Sequence, residues 1–201
     1  MYPLIKRCGD LVTSFLLLVI MLPLFVLISV LVYLDLGRPI FFRQVRIGKS
    51  EKPFIILKFR TMVDGKHQDN DDISDDFRTT AVGSFLRKSS LDELPTLWNV
   101  LVGDMSIVGP RPLLPEYLPL YSIEQRKRHL VKPGITGLAQ VNGRNLLSWE
   151  DKFKFDVFYV SNQSIRLDLQ ILLHTVVVVF KREGINSLSG RIVEKFRGSS
   201  R

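Results

Sequence analysis

The sequence predicts a mixed α/β domain of ordinary size behind an apolar N-terminal segment. Three observations point to it. Residues 11–34 concentrate the hydrophobicity of a 201-residue chain with a 46% apolar fraction and a mean hydropathy of +0.14. Two short strand-like runs, Arg38-Pro39-Ile40-Phe41-Phe42 and Pro53–Phe59, come next and are joined through Gly48-Lys49. The rest alternates helical spacing with glycine-rich loops and holds most of the charge.

In the apolar run, only Thr13, Ser14 and Ser29 supply polar groups, and Pro23 falls near its middle. As one helix, its 24 residues would reach about 36 Å, against a hydrocarbon core of roughly 30 Å. A signal peptide fits poorly, because the run is long and no small-x-small cleavage site follows. Lys6 and Arg7 precede it, and Arg38, Arg43 and Arg46 follow, so basic residues flank both ends and set no direction. Pro23 removes a backbone donor and can split the helix in two. A kinked span and a segment that dips in and returns both satisfy these residues.

Further along, residues 69–76 form an acidic run without the central glycine and final glutamate of an EF-hand, which reads as a solvated loop. Residues 77–87 have helical spacing, with Val82, Phe85 and Leu86 on one face. A second helix is expected over 91–101, with Leu94, Leu97, Trp98 and Leu101 as its stripe and Pro95 tolerated in its first turn. A third is expected near 115–130, ending Arg126-Lys127-Arg128-His129. Ser148 and Asp151 open a fourth, carrying Trp149, Phe153 and Phe155. Residues 168–180 form a last helix, too short to span a membrane, in which His174 reads as a core or interfacial side chain. Between them lie the loops Gly103-Asp104-Met105-Ser106-Ile107-Val108-Gly109-Pro110-Arg111-Pro112, Lys132-Pro133-Gly134-Ile135-Thr136-Gly137 and Gln140-Val141-Asn142-Gly143-Arg144-Asn145.

The net charge of +8 favours phosphorylated ligands, anionic lipid or nucleic acid. One cysteine, Cys8, excludes an intrachain disulfide, and with three scattered histidines it argues against zinc. There is no P-loop, no dinucleotide fingerprint, no G-x-S-x-G elbow and no RNA-binding signature. The chemistry-bearing feature is the pair Asp92-Glu93 in Ser89-Ser90-Leu91-Asp92-Glu93-Leu94-Pro95. Adjacent carboxylates can divide labour: one attacks or binds a metal, and the other moves a proton or completes the metal shell. Ser90 and Glu93 also have the spacing of a helix capping box, the commoner reading of such a tetrapeptide. A helix N-terminus there would set Asp92 where anions gather.

Lys58-Phe59-Arg60-Thr61-Met62 and Leu91-Asp92-Glu93-Leu94-Pro95-Thr96-Leu97-Trp98-Asn99-Val100-Leu101 strongly resemble the bacterial sugar transferases, the monotopic phosphoglycosyl transferases acting on polyprenyl phosphate. The loops at 103–112 and 132–144 extend the resemblance, which runs from Lys6 to about Arg182. The small size and the tail Glu194-Lys195-Phe196-Arg197-Gly198 look most like the diacetylbacillosamine-1-phosphate transferase subgroup. The fold implied is a compact, non-Rossmann α/β membrane fold, with a re-entrant helix-break-helix (1–36), a cytoplasmic catalytic domain (37–201) and interfacial amphipathic helices. One departure stands out: this chain has Leu22-Pro23 where the family often has Ser-Pro.

The resemblance implies transfer of a sugar 1-phosphate from a UDP-sugar to undecaprenyl phosphate, with release of UMP. The donor implied is N-acetylated, with UDP-N,N'-diacetylbacillosamine foremost. Asp92 is the implied nucleophile, with Glu93 as base or metal partner and Mg²⁺ held by both. Lys58, Arg87 and Arg111 are the implied phosphate contacts, and Asp168 is a supporting residue or, on local sequence, a helix N-cap. The implied place is the cytoplasmic face of the bacterial inner membrane, without nucleic acid. A second copy of the chain and downstream glycosyltransferases are the candidate protein partners. Two other classes remain on the residues alone: a basic membrane-anchored scaffold, which would not need the carboxylates, and a hydrolase using them, which would release sugar phosphate without lipid.

Overall fold

The computed structural model describes residues 2–63, 78–143, 146–181 and 195–198, with the side chains of 180 and 181 left aside. The acidic run 69–76, Phe77 and Arg144 lie outside the described residues. The architecture is mixed α/β. Two long helices, α1 (Tyr2–Ile20) and α2 (Leu22–Leu36), lead into an antiparallel hairpin of β1 (Phe41–Ile47) and β2 (Pro53–Phe59). Next come α3 (Ala81–Ser89), α4 (Thr96–Val102), the parallel pair β3 (Ser106–Val108) and β4 (Gly134–Thr136), α5 (Trp149–Ser161) and α6 (Ile165–Lys181). Among the described residues the strands form two separate two-stranded pieces, with no doubly wound sheet.

The apolar segment is a bent pair. The axes of α1 and α2 meet at 63°, and no single described helix is long and apolar enough to cross a membrane. The break falls at Met21, and Pro23 sits in the first turn of α2, where its missing N–H is no loss. The helices are longer than halves of the apolar run because α1 begins at Tyr2, in polar sequence. That polar start is bound to the body. Arg7 donates to the carbonyls of Val100 (2.7 Å) and Leu101 (3.0 Å), placing a cation at the C-terminus of α4. The buried Asp10 carboxylate accepts from the Ile107 N–H at 3.0 Å. From α2, Ile28 and Val32 pack on Phe59 and Leu86, and Arg60 donates to the Leu36 carbonyl at the end of that helix. Leu16, Val19, Ile20, Leu22, Val26 and Leu27, around the bend, remain half or more exposed.

The first strand differs from expectation: it starts at Phe41 and runs to Ile47, rather than covering 38–42. Pro39 cannot donate to a ladder, so pairing begins beyond it. The loops at 103–112 and 132–137 each contain a strand that their glycines conceal. Those glycines let the two backbones interlock. A Cβ on Gly134 would lie 2.1 Å from the Gly109 nitrogen, and one on Gly109 2.5 Å from the Lys132 carbonyl oxygen. Gly109 N–H donates to Thr136 O and Gly134 N–H to Pro110 O, both at 2.9 Å.

The helix expected over 115–130 is broken into a 3₁₀ segment (Pro115–Leu120), one α-turn (Ile123–Arg126) and another 3₁₀ turn (Lys127–Leu130). Pro119 interrupts it, and a capping box of Ser122 and Gln125 restarts it. Of the expected apolar stripes, Leu86 and Leu97 turn inward as expected, whereas Phe85 and Trp98 are 57% and 52% exposed. The helix capped by Ser148 forms as expected, with Ser148 accepting from the Asp151 N–H. His174 is exposed on α6.

Candidate active site

The carboxylate pair sits on a 3₁₀ turn, Leu91–Glu93, between α3 and α4. Leu91 and Leu94 pack inward against the cluster of Phe59, Leu86, Ile28 and Val32, so the intervening Asp92 and Glu93 turn away from that core. The capping box does not form. Ser90 is left-handed (φ 58°) and closes the C-terminus of α3, its N–H donating to Arg87 O and Leu86 O, and its side chain caps nothing. Glu93 has stronger partners than backbone N–H groups. Lys58 Nζ is in direct contact with Glu93 Oε1, and Arg111 Nη2 lies 3.3 Å from the same oxygen. The helix α4 accordingly starts at Thr96, whose hydroxyl donates to the Glu93 carbonyl at 2.5 Å.

Each cation arrives by a local rule. Lys58 is on β2, on the face turned toward α4. That strand is fixed by Asn99: its amide donates to Ile55 O (2.7 Å) and its carbonyl accepts from the Leu57 N–H (3.0 Å). Buried Asn99 thus stands in for a neighbouring strand. Arg111 follows the interlocked Gly109-Pro110 turn. Its carbonyl accepts from Arg128 Nη2 at 2.7 Å, and Arg128 is itself fixed by Asp156. Arg87, at the end of α3, donates to Thr79 Oγ1 at 3.1 Å, and its charge acts on Asp92.

Lys58, Glu93, Thr96, Arg111 and Gly134 line one small cleft, together with Arg46 from β1; Asp92, next to Glu93 on the same turn, is not among the residues lining this cleft. Its electrostatics separate the two acids. Burial and the neighbouring Glu93 charge raise Asp92 to about 6, while Lys58, Arg111 and Arg87 restrain the rise. For Glu93, burial opposes ionisation, but Lys58 and Arg111 outweigh it and lower the pKa to about 2. At neutral pH both are ionised, and Asp92 is the more basic and the less firmly neutralised. A desolvated carboxylate without a direct ion pair is the better nucleophile of the two.

Asp168 stands apart from this cleft. It accepts from Tyr2 Oη (2.7 Å), Lys6 Nζ (2.7 Å) and Tyr159 Oη (2.8 Å), and the Tyr159 hydroxyl also lies 3.1 Å from Val108 O. It is not the N-cap of α6; Ser164 accepts from the Leu167 N–H in that role. Its direct partners therefore join the start of α1 to the strand that leads into Arg111. Sequence reasoning counted Arg46 only as a basic flank of the apolar run. Strand alternation could have found it, since Arg46 and Lys58 fall on one face of the hairpin. Nothing in the local sequence marks Tyr159 or the Arg128–Asp156 pair.

Residues 1–182 match the family described as bacterial sugar transferase. The chain is 50% identical over 196 residues to the uncharacterized sugar transferase EpsL of Bacillus subtilis, covering 98% of this chain and 97% of that one. It is 40% identical to the undecaprenyl-phosphate galactose phosphotransferase of Salmonella typhimurium, over 90% of this chain and 41% of that protein. It is 43% identical to the UDP-glucose:undecaprenyl-phosphate glucose-1-phosphate transferase of Klebsiella pneumoniae, over 85% of this chain and 39% of that protein. The match to these two longer relatives thus spans about two fifths of their length. The family match and the near full-length identity place this chain in the bacterial sugar transferase family.

Proposed function

We propose that this protein transfers a sugar 1-phosphate from a UDP-sugar to undecaprenyl phosphate at a membrane surface. The observation that carries the reading is Asp92, its pKa raised to about 6, next to a Glu93 that lines a cleft with Lys58, Arg111 and Arg46, in a chain of this family. The named relatives, a galactose phosphotransferase and a glucose-1-phosphate transferase for undecaprenyl phosphate, support the acceptor and the donor class. For the sugar, the subgroup resemblance favours an N-acetylated donor such as UDP-N,N'-diacetylbacillosamine.

In the proposed chemistry an Asp92 carboxylate oxygen attacks the sugar-bearing phosphorus. The bond from that phosphorus to the bridging oxygen breaks, and UMP leaves with the electron pair. The phosphosugar is held on Asp92 as an acyl phosphate. An oxygen of the lipid phosphate then attacks the same phosphorus, and the Asp92 carboxylate leaves unchanged. Splitting the transfer lets a soluble donor and a membrane-borne acceptor use one cleft in turn. Lys58 and Arg111 hold Glu93 ionised and face the incoming anions. With its pKa lowered to about 2, Glu93 is too weak a base for a phosphate proton; the lipid phosphate is proposed to attack as its dianion, with Glu93 positioning Lys58 and Arg111.

A divalent cation fits the donor set only in part. Among the described residues no group of three acidic, histidine or cysteine side chains could cage one. Mg²⁺ needs no cage, since one or two carboxylates and substrate phosphates commonly suffice. Asp92 and Glu93 would hold it, although Lys58 and Arg111 already share one oxygen of Glu93. Bound there, Mg²⁺ would supply neutralisation of phosphate charge.

The bent α1–α2 pair, exposed and apolar at its bend and tied to the body at both far ends, through Arg7 and Asp10 and through Ile28 and Val32, supports a re-entrant, monotopic placement. The domain beyond it would then lie on the cytoplasmic face of the inner membrane. Single-cysteine labelling at residues 4 and 38 in a Cys8→Ser background tests this. Protection of both from outside reagent in intact cells is expected, and reaction of only one overturns it. For the activity, a panel of UDP-sugars is assayed for UMP release with and without undecaprenyl phosphate. Lipid-dependent multiple turnover with at least one donor is expected. Release of free sugar phosphate without lipid would mark a hydrolase, and no UMP from any donor would contradict the transferase reading.

A further inference from the structure

Of the three cations lining the cleft, two already meet a carboxylate and one does not. Lys58 and Arg111 share Glu93 Oε1. Arg46 reaches only neutral oxygens: Gln44 Oε1 at 2.6 Å and, at a long 3.5 Å, the Pro112 carbonyl. Its Nε is buried and has no hydrogen-bond partner. A half-buried guanidinium with no direct ion pair is costly, and its orphaned buried donor normally implies a missing acceptor. Burial and then the nearby Arg111 charge lower its pKa to about 10, so it is a full cation at neutral pH.

The hairpin register says which substrate it would meet. The end carrying Phe41 and Phe59 packs against α2. Lys58 is next to that end, whereas Arg46 pairs with Phe54. Four residues of strand put Arg46 about 13 Å farther from the membrane-facing pair than Lys58. That is the side from which a water-soluble donor enters.

We propose that Arg46 grips the nucleotide-side phosphate of the nucleoside diphosphate donor, and of UMP before it departs, through two guanidinium N–H groups. The assignment rests on the transferase reading above and adds a division of the cleft. Arg46 serves the donor's leaving group at the aqueous end, and Lys58 and Arg111 serve the phosphate that is transferred. Arginine suits the task, because its planar fork can pair with two phosphate oxygens where lysine offers one point of charge.

The test compares wild type, Arg46→Gln, Arg46→Lys and Arg43→Gln, the last an exposed arginine on the opposite face of β1. Binding of UMP and of uridine is measured by calorimetry on the full chain in detergent, and KM is measured separately for UDP-sugar and undecaprenyl phosphate. Arg46→Gln should weaken UMP and raise the UDP-sugar KM about 10- to 100-fold, the range of one or two charge-assisted hydrogen bonds. Uridine binding and the KM for undecaprenyl phosphate should stay within about twofold, as should every parameter of Arg43→Gln. Arg46→Lys keeps charge and bulk, and so guards against misfolding of the glutamine variant. It should still weaken UMP about fivefold or more. UMP affinity unchanged in both Arg46 variants overturns the proposal, as does equal loss for uridine or for the lipid. A wild type that turns over beside such results sinks the Arg46 assignment alone, whereas a wild type inert to every UDP-sugar sinks the transferase reading with it.

Discussion

Two carboxylate–arginine centres lie within a few residues' reach of Arg111, and they solve opposite problems. Asp156 and Arg128 are sealed, with side chains 5% and 2% exposed, and joined through Nε at 3.0 Å and Nη2 at 2.8 Å. The rings of Tyr121 and Phe153 flank the guanidinium. One acid balances one base. Burial raises the Asp156 pKa despite the pairing, which is the cost of enclosing charge without water. The site around Glu93 is open: Lys58, Glu93 and Arg111 are 18%, 20% and 51% exposed. Counting Arg46 and Asp92, it has three cations for two acids. A sealed, balanced pair holds backbone in place, as Arg128 does for the Arg111 carbonyl. An open, unbalanced one attracts anions.

The contrast can be broken from either side. The largest stability effect belongs to the sealed pair. Arg128→Met or Asp156→Asn should cost about 3–5 kcal/mol, because each strands a buried charge or donor set. Replacing both with apolar residues of similar volume should recover most of that loss. Urea denaturation of the three variants checks it, and additive losses would show that the pair is not one unit. At the open site the ranking reverses. Glu93→Gln should lower turnover about 100-fold, the scale of a lost charge-positioning group. It should also lose stability, because the ion pairs with Lys58 and Arg111 go with the charge, but less than the sealed pair loses, since Lys58 and Arg111 are partly solvated.

Smaller effects follow from Asp92. Its folded pKa, about 6, lies above the usual carboxylate value of 3.8, so the folded state holds the proton more tightly. The resulting stabilisation is present below about pH 4 and is lost as pH rises through 6. Asp92→Asn should therefore be more stable than wild type at pH 8, by up to about 3 kcal/mol, with the difference vanishing near pH 4. On the proposed mechanism Asp92 attacks only when ionised, so the rate of UMP release at low donor concentration should level off above pH 6. Below that it should fall about tenfold per pH unit. A flat profile from pH 4.5 to 8 would show that Asp92 is not the titrating nucleophile.

What was legible in the sequence depended on the range of the interaction. The apolar segment, the hairpin's second strand and the Ser148 cap were readable because period and capping are local. The neighbourhood of Asp92 was readable only through resemblance. Local rules preferred a capping box, and it failed because Lys58, 35 positions away, offers Glu93 a charge instead of a backbone dipole. β3 and β4 were hidden because the glycines that permit their close approach are also loop formers. The stripes held at Val82, Leu86, Leu94 and Leu97 and missed at Phe85 and Trp98, because spacing fixes which residues share a face, while burial depends on what packs against it. Asp168 was singled out, but its partners Tyr2, Lys6 and Tyr159 come from both ends of the chain and leave no local mark.

The central claim is that Asp92 carries the phosphosugar between two substrates. Intact-protein mass spectrometry of the purified chain with UDP-sugar and Mg²⁺, without lipid, tests it most directly. The wild type should gain one phosphosugar mass and release one equivalent of UMP, then lose that mass when undecaprenyl phosphate is added. Asp92→Asn should gain nothing, and Asp92→Glu should label about 100-fold more slowly, since a shift of about 1 Å misplaces the attacking oxygen. An unlabelled wild type that still shows full lipid-dependent turnover would contradict the account and assign the attack to the lipid phosphate itself.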